Sequence, residues 1–413
     1  MSRKKPSSQA AANHCAHVPD VNRHAAGTPS GVAAVPVAPS TLTISAIRAI
    51  PLTAPMQPGT RTSQAVYTAV SIVLVELHTT DGLVGYGECL GRFGATAYAD
   101  LINTVLAPLL VGQSAFDIRR HWLRMSAALT GRAGGVLIEA IAGVDIALWD
   151  VVGKALGQPV HRLLGGIGRT AVDCYASSIN WADIPTMQAQ TRAVVALGFH
   201  AIKVKLGQPV AQAIDAARAV REVAGDGMRL GVDANWAYSL DEAVRVGHAL
   251  HAMDYWFFEE PIVPEDVAGY RHLRRSLPIM LAAGESDYTV AHASELLRER
   301  LVGIIQPDVA RAGGISETRD IATLAHAFHV GYAPHVGWSG AVCVAASLQL
   351  AAAMPAFISF ECMFIGNPLR DALATEAIGS AATLVDGRLP VPQGPGLGIT
   401  IDMDAVDRYR VDR

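Results

Sequence analysis

The chain has 413 residues, of which 51% are hydrophobic and 17% are charged. This length exceeds one ordinary domain, and the composition predicts two structured units with large buried cores. The net charge of −4 and the isoelectric point near 6.4 give no electrostatic reason to expect nucleic acid or an anionic membrane as a partner.

The first 165 residues divide into two segments of different character. Residues 1–40 are rich in Ala, Pro, Ser and Val without periodicity, which predicts a disordered tail. In residues 41–165 the β-rich segments Thr43–Pro51 and Ala69–His78 come first, and Thr80-Asp81-Gly82 predicts a hairpin turn. Helical segments follow, so this part is predicted to be an α+β unit with its own core.

Short apolar runs alternate regularly with helix signals through residues 166–370. Ser239 and Glu242, for example, form a capping box between two runs. One strand and one helix per repeat is the pattern of an α/β barrel. Residues 371–413, rich in Pro and Gly between Gly387 and Ile401, are predicted to return to the first unit. The eight strand candidates are Val172–Ala176, Ala201–Leu206, Arg229–Val232, Trp256–Phe258, Ile279–Ala282, Gly303–Ile305, Val330–Ala333 and Ala356–Phe360.

The most apolar stretch, Gly340–Phe360, tests for a membrane span. Pro355 divides it, and the predicted outcome is a buried barrel helix followed by the last strand.

The five cysteines lie far apart with no CxxC pair. Free thiols in a reducing, cytoplasmic compartment are therefore predicted.

Ionisable residues end the later strand candidates at intervals of 23 to 27 residues. Active sites of such barrels lie at the C-terminal ends of the strands, so these side chains are expected in one ring. They are Asp233, Glu259, Glu285, Asp308, His335 and Glu361.

Two lysines end the second strand candidate, in Lys203-Val204-Lys205. Residues i and i+2 share one face of a strand, so both ammonium groups are expected to enter the barrel mouth. Close like charge and partial desolvation each lower the pKa of a lysine, which predicts that one of the two is a usable base. The alternative is an ordinary surface pair.

Three carboxylates end consecutive strand candidates at Asp233, Glu259 and Glu285. Converging carboxylates repel unless a divalent cation neutralises them, and oxygen ligands of this kind suit Mg²⁺. The sequence therefore predicts one Mg²⁺ per subunit, against the alternative that each carboxylate caps a helix or pairs locally. Asn235 is predicted to support this site or to contact substrate.

Asp308 and His335 end adjacent strand candidates. Their contact would fix the imidazole tautomer and raise the basicity of the other ring nitrogen. Glu361, on the last strand, is predicted to donate a proton or a hydrogen bond if its surroundings keep it protonated.

Together these motifs resemble the mandelate racemase-like subgroup of the enolase superfamily, over residues 42–403. The resemblance implies a (β/α)₇β barrel with an α+β capping domain, whose capping loop, Thr53–Ser63, covers the barrel mouth. It makes Glu259 the metal ligand and Glu260 a structural neighbour. The motifs are Lys203-x-Lys205, Asp233-x-Asn235, Phe258-Glu259-Glu260-Pro261, Gly284-Glu285, Pro307-Asp308, Pro334-His335, Phe360-Glu361 and the helical segment that runs from Ala142–Asp150 through Leu163-Leu164-Gly165.

The family reaction begins with removal of the proton α to a carboxylate. The resemblance implies that Mg²⁺ binds the substrate carboxylate with help from Lys203 and Glu361, while Lys205 works on one face and the His335–Asp308 pair on the other. Dehydration of an aldonate or aldarate to a 2-keto-3-deoxy acid is predicted, as the commoner activity of relatives with this pair. The first alternative is a racemase or epimerase of a 2-hydroxy acid, and the second is a barrel that binds metal or ligand without turnover.

Arg61 and Arg92 lie in or near the predicted capping loops. The favoured interpretation of each is an ordinary surface arginine, and the alternative is pairing with a distal carboxylate, as in an aldarate. Arg61 is kept as a candidate substrate-binding residue. The partner is thus expected to be a small carboxylate substrate. The resemblance also implies a homo-oligomer, either a dimer or an octamer.

Overall fold

The computed structural model of the chain describes residues 41–62, 64–92, 94–129 and 134–411. The predicted tail, residues 1–40, lies outside the described residues.

The N-terminal unit begins with an antiparallel sheet of β1 (Ile44–Pro55), β2 (Ala69–Thr79) and β3 (Val84–Leu90), in that order. The predicted hairpin is confirmed, and Gly82 supplies the positive φ, +81°, that its turn requires. Because β1 runs to Pro55, the loop after it spans residues 56–68 and extends beyond the predicted end. The helices that follow are α1 (Ala95–Leu101), a π-helix (Ile102–Leu106), α2 (Ala107–Leu110), α3 (Ile118–Ser126), α4 (Val136–Ala155) and α5 (Val160–Leu163).

Helix α4 is apolar on nearly all sides and lies directly on strand β3. Two glycines permit this close approach, because a Cβ atom added at Gly87 would lie 1.8 Å from the carbonyl oxygen of Gly143. The contact is with backbone, so no side-chain rotation can relieve it.

Gly87→Ala is therefore expected to lower the free energy of unfolding by about 1–3 kcal/mol, the range for an overpacked core. Urea denaturation followed by circular dichroism measures the effect. Gly227→Ala is the matched control, since a Cβ there meets no atom within 4 Å. An unchanged midpoint for Gly87→Ala would contradict the close packing of α4 on β3.

The second unit is a barrel of eight parallel strands joined by seven helices, as predicted. The sheet order is β10-β9-β8-β7-β6-β5-β4-β11, and a parallel bridge between Tyr332 and Phe357 joins its two ends. The strands are β4 (Ala171–Ile179), β5 (Ala201–Lys205), β6 (Arg229–Asp233), β7 (Phe257–Glu259), β8 (Met280–Ala283), β9 (Ile304–Ile305), β10 (Gly331–Tyr332) and β11 (Phe360–Met363). The helices between them are α6 (Ile184–Ala196), α7 (Val210–Ala224), α8 (Leu240–Ala252), α9 (Val267–Ser276), α10 (Thr289–Arg298), α11 (Gly314–Ala327) and α12 (Ala341–Ala353).

The last strand differs from its predicted bounds. The sequence predicts a strand over Ala356–Phe360, but the first residues of this run form the bridge to Tyr332, whose amide donates to the Ala356 carbonyl at 2.8 Å. Phe360–Met363 instead pairs with β4, which places Glu361 within the strand.

The apolar stretch Gly340–Phe360 contains the buried barrel helix α12, as predicted, and strand β11 begins at its last residue. Among the described residues, no helix is both long and apolar enough to cross a membrane. Cys89, Cys174, Cys343 and Cys362 are buried free thiols, in agreement with the sequence.

The C-terminal segment contacts both units. Strand β12 (Arg388–Pro390) pairs antiparallel with β4, and the backbone of Arg410 forms an antiparallel β-bridge with Leu52 of β1. The remaining elements of this segment are α13 (Pro368–Ala372), a 3₁₀ helix (Ala381–Thr383) and α14 (Met403–Tyr409).

Two buried carboxylates of the N-terminal unit bind the first turns of barrel helices. Asp145 of α4 accepts hydrogen bonds from the backbone nitrogen and hydroxyl of Ser316, at 2.9 and 2.7 Å. Glu88 of β3 accepts from the amides of Gly340 and Cys343, at 2.7 and 3.0 Å. Helix N-termini carry partial positive charge, so these contacts hold α11 and α12. The loops that carry Asp308 and His335 lead into those two helices.

Candidate active site

The ionisable residues predicted from the strand ends converge at the C-terminal mouth of the barrel. Parallel strands end at the same rim, and each of these side chains is at least nine-tenths buried. A cavity of about 110 Å³ opens among them. This site cavity is lined by Lys205, Asn235, Trp236, Glu285, His335, Gly337, Trp338, Glu361 and Met363 of the barrel and by Thr62, Gln64, Ala65, Tyr67 and Arg92 of the N-terminal unit.

Asp233, Glu259 and Glu285 form a three-carboxylate group whose oxygen atoms lie within 4.8 Å of one another. All three donors are oxygens, which fits a hard divalent cation such as Mg²⁺. Gln306 orients one of them, since its amide nitrogen donates to Glu259 Oε2 at 2.6 Å.

The formal charge of the mouth also fits a divalent cation. Among the barrel residues of the mouth, five carboxyl groups surround three basic side chains, so the barrel contributes two excess negative charges when all are ionised. Burial raises the pKa of Glu259 to about 8, although Lys203 opposes this shift. The carboxyl groups are Asp233, Glu259, Glu285, Asp308 and Glu361, and the basic groups are Lys203, Lys205 and His335.

Lys203 is fully buried among carboxylates. Its ammonium nitrogen lies 2.6 Å from Glu259 Oε1, 2.7 Å from Glu361 Oε1 and 3.7 Å from Asp233 Oδ2. Burial alone would lower the pKa of Lys203, but Glu259 and Glu361 raise it well above its ordinary range. Lys203 is therefore held in its protonated, positively charged form.

Lys205 lines the site cavity and pairs with Asp233 across the β5–β6 register. The predicted lowering of a lysine pKa is wrong for Lys205. Burial acts in that direction, but Asp233 outweighs it and raises the pKa of Lys205. A cation bound to Asp233 would compete with Lys205 for that carboxylate and so favour the neutral amine.

Asp308 and His335 meet as the sequence predicts. His335 Nδ1 lies 2.8 Å from Asp308 Oδ2, and Asp308 Oδ1 accepts from the amide of Ala310. The other ring nitrogen lies 3.2 Å from Glu285 Oε2. Burial would lower the pKa of His335, but Glu285, Glu361 and Asp308 raise it to about 9.

Glu361 is held as a carboxylate. Burial would raise its pKa, but Lys203 first, then His335 and Lys205, lower it below the ordinary range. The hydroxyl of Ser177 and the amide of Val336 both donate to it, at 2.7 Å each. The condition that the sequence analysis set for proton donation, a protonated Glu361, is therefore not met, because Lys203 stabilises the charged form.

Asn235 supports the three-carboxylate group and lines the cavity. Its backbone nitrogen donates to Asp233 Oδ1 at 2.8 Å, and its backbone adopts a positive φ of +45°. Glu260 does not line the site cavity; it accepts from the Gly284 amide and the Trp236 indole, and so joins two strand-end loops. This is the structural part that the family pattern implies for it.

The two arginines of the predicted capping loops differ in their position relative to the site cavity. Arg92 lines the site cavity, whereas Arg61 is not among its described lining residues and donates from Nε to the Thr62 carbonyl at 3.3 Å. The structure thus gives Arg61 no contact with the cavity, and its substrate-binding role stays a prediction.

Sequence reasoning missed three further residues near the site. Gln306 had a usable signal, because it precedes Asp308 by two positions at the end of the same strand. Trp338 and Arg311 had none. Arg311 forms an ion pair with Glu139 of α4, at 3.0 Å, across 172 positions of sequence.

A capped barrel whose mouth joins a three-carboxylate group to basic side chains defines the class of protein. Residues 44–165 match the N-terminal domain family of mandelate racemase and muconate lactonizing enzyme, and residues 186–405 match the enolase C-terminal domain-like family. The chain belongs to the enolase superfamily, in its mandelate racemase-like subgroup.

Relatives of the chain include enzymes of sugar acids. It is 36% identical over 355 residues to D-galactarolactone cycloisomerase of Agrobacterium fabrum, covering 82% of this chain and 91% of that one. It is 35% identical over 346 residues to arabinonate dehydratase of Saccharolobus solfataricus, covering 83% and 91%. A racemase structure from Streptomyces coelicolor A3(2) with bound magnesium superposes with a TM-score of 0.80 at 28% identity, covering 89% and 100%.

Proposed function

We propose that this enzyme removes the proton α to the carboxylate of a sugar acid and eliminates the β-hydroxyl, giving a 2-keto-3-deoxy acid and water. One observation carries the proposal: Lys205 and His335 line the same cavity as the Glu285 carboxylate, and Asp308 contacts the ring of His335 from outside that lining. The dehydratases among the relatives support the choice of reaction.

The proposed cofactor is one Mg²⁺ ion held by Asp233, Glu259 and Glu285. When bound, it would polarise the substrate carboxylate and stabilise the enolate that proton removal creates. Lys203, fixed between Glu259 and Glu361, adds a positive charge beside that position.

The chain's own groups then divide the proton transfers. Lys205 accepts the α-proton as a neutral amine. Asp308 holds His335 through Nδ1, which leaves Nε2 to give a proton to the departing hydroxyl, so that water leaves. The resulting enol becomes the 2-keto acid when its C3 is protonated.

Racemisation or epimerisation of a 2-hydroxy acid is the second candidate. Two bases, Lys205 and His335, contact one cavity, so a carbanion formed by one can be protonated by the other. The similar racemase structure favours keeping this candidate.

Incubation of a sugar-acid panel with enzyme and Mg²⁺ in D₂O, followed by NMR, tests the proposal. A 2-keto-3-deoxy acid with deuterium at C3 is the expected product. Epimers labelled at Cα would instead identify the second candidate. No product and no α-proton exchange with any acid would contradict both. A cytoplasmic location and a dimer or octamer stay predictions.

A further inference from the structure

Arg92 is a charged residue in the site cavity that the proposed reaction does not use. It is partly buried, and no carboxylate of the described part of the chain lies within ion-pair distance of its guanidinium. Taking an arginine out of water without a counter-ion is unfavourable. A ligand group that enters the cavity is therefore a natural partner for it.

The charges of the cavity walls are distributed unevenly. The barrel wall carries the ionisable groups Lys205, Glu285, His335 and Glu361. Among the described lining residues of the N-terminal unit, Arg92 is the one with a formal charge. A substrate whose first carboxylate binds at the three-carboxylate group thus meets one formal charge, a positive one, on the wall that the N-terminal unit supplies.

Two aromatic side chains line the cavity together with His335 and Arg92. The loop after His335 is fixed at Val336 by Glu361 and at Gly340 by Glu88, each at 2.7 Å. Between these points Trp338 adopts a positive φ of +59°. Its ring lies 5.8 Å from that of Tyr67, and both rings line the cavity together with Arg92.

We propose that Arg92 binds a second carboxylate, at the end of the substrate far from the metal, and that the enzyme prefers aldarates over aldonates. This inference rests on the proposed α-proton abstraction at the same site. A planar guanidinium matches a carboxylate through two parallel hydrogen bonds, which a terminal hydroxymethyl group cannot form. Arg92 then determines specificity and takes no part in proton transfer.

The test compares six-carbon acids with identical hydroxyl configuration that differ only at C6, a carboxylate in the aldarate and a hydroxymethyl group in the aldonate. The native enzyme is expected to have the higher kcat/KM for the aldarate. Arg92→Gln is expected to lower that value by roughly 10- to 100-fold, mainly through KM, because a charged hydrogen-bonded pair is lost. The kcat/KM for the aldonate should change less than about 3-fold, since its terminal hydroxymethyl group forms no ion pair with the guanidinium.

Arg92→Lys keeps the charge but loses the planar guanidinium. Its kcat/KM for the aldarate is expected to lie between the values of the native enzyme and of Arg92→Gln. Arg120→Gln is the matched control, because Arg120 belongs to the same unit and its side chain is 65% exposed. Thermal unfolding of each variant verifies folding.

Equal losses for both acids in Arg92→Gln, or a native preference for the aldonate, would overturn the Arg92 proposal while dehydration stands. A selective loss in Arg61→Gln instead would assign the distal carboxylate to Arg61 and likewise overturn it. If neither acid type is dehydrated or exchanges its α-proton, the proposed function fails, and the Arg92 proposal with it.

Discussion

Replacing His335 with asparagine is expected to lower the dehydration rate by roughly 1,000-fold, the middle of the range for a lost acid–base group. Asparagine cannot carry the proton that the leaving hydroxyl needs, although its amide can still reach Asp308. The α-proton, which Lys205 removes in this scheme, should still exchange with D₂O. Lys205→Ala should abolish both exchange and dehydration.

The contrast between these variants is measured by NMR in D₂O on one substrate, with proton exchange and keto-acid formation followed together. His272→Asn, at an exposed position of α9, is the matched control and should behave as the native enzyme. Full dehydration by His335→Asn would remove that residue from the mechanism. Loss of α-proton exchange in His335→Asn but not in Lys205→Ala would exchange the two roles, making His335 the group that removes the α-proton.

The strand ends were predictable because the barrel repeats a simple local rule. Each unit has a short apolar run that ends in one polar residue, and parallel strands bring such ends to one rim. Asp233 and Glu259, at the last positions of β6 and β7, follow this rule directly. His335 follows it more loosely, three residues after β10, and still meets Asp308.

Pairwise electrostatics were less predictable, since they depend on register between strands. The sequence shows Lys203 beside Lys205 and so suggests a lowered pKa. In the barrel, Lys205 lies opposite Asp233 on the neighbouring strand, and Lys203 lies between Glu259 and Glu361. Those carboxylates are at least 28 positions away from the lysines in sequence. The local pattern therefore predicted the wrong direction for the shift of the lysine pKa.

Contacts between the two units were not predictable from pattern at all. Glu88 lies within an ordinary-looking strand of the N-terminal sheet, yet it binds the first turn of α12, 252 residues later at Gly340. The choice of Arg92 over Arg61 in the cavity depends on the same packing. No periodicity encodes how a loop of one unit lies on the mouth of another.

Glu259→Gln is expected to abolish activity and to weaken Mg²⁺ binding by at least about 100-fold, more than the loss of an outer hydrogen-bond partner causes. The expected effect on the metal-free protein is different. Glutamine removes a buried carboxyl group whose pKa burial raises to about 8, and it reduces repulsion with Asp233. Lys203 keeps Glu361 as its partner, at 2.7 Å. The metal-free variant should therefore unfold at or above the native temperature.

Thermal unfolding with and without Mg²⁺ separates these effects. Mg²⁺ at 100 times its dissociation constant should stabilise the native protein by about 2.7 kcal/mol. The same concentration should hardly change Glu259→Gln, while Glu222→Gln, at an exposed position of α7, should respond as the native protein does. If Mg²⁺ stabilises Glu259→Gln as strongly as the native chain, Glu259 is not a ligand. Its carboxylate then serves only as a partner for Lys203, and the two negative charges of the barrel mouth must be balanced by protons instead.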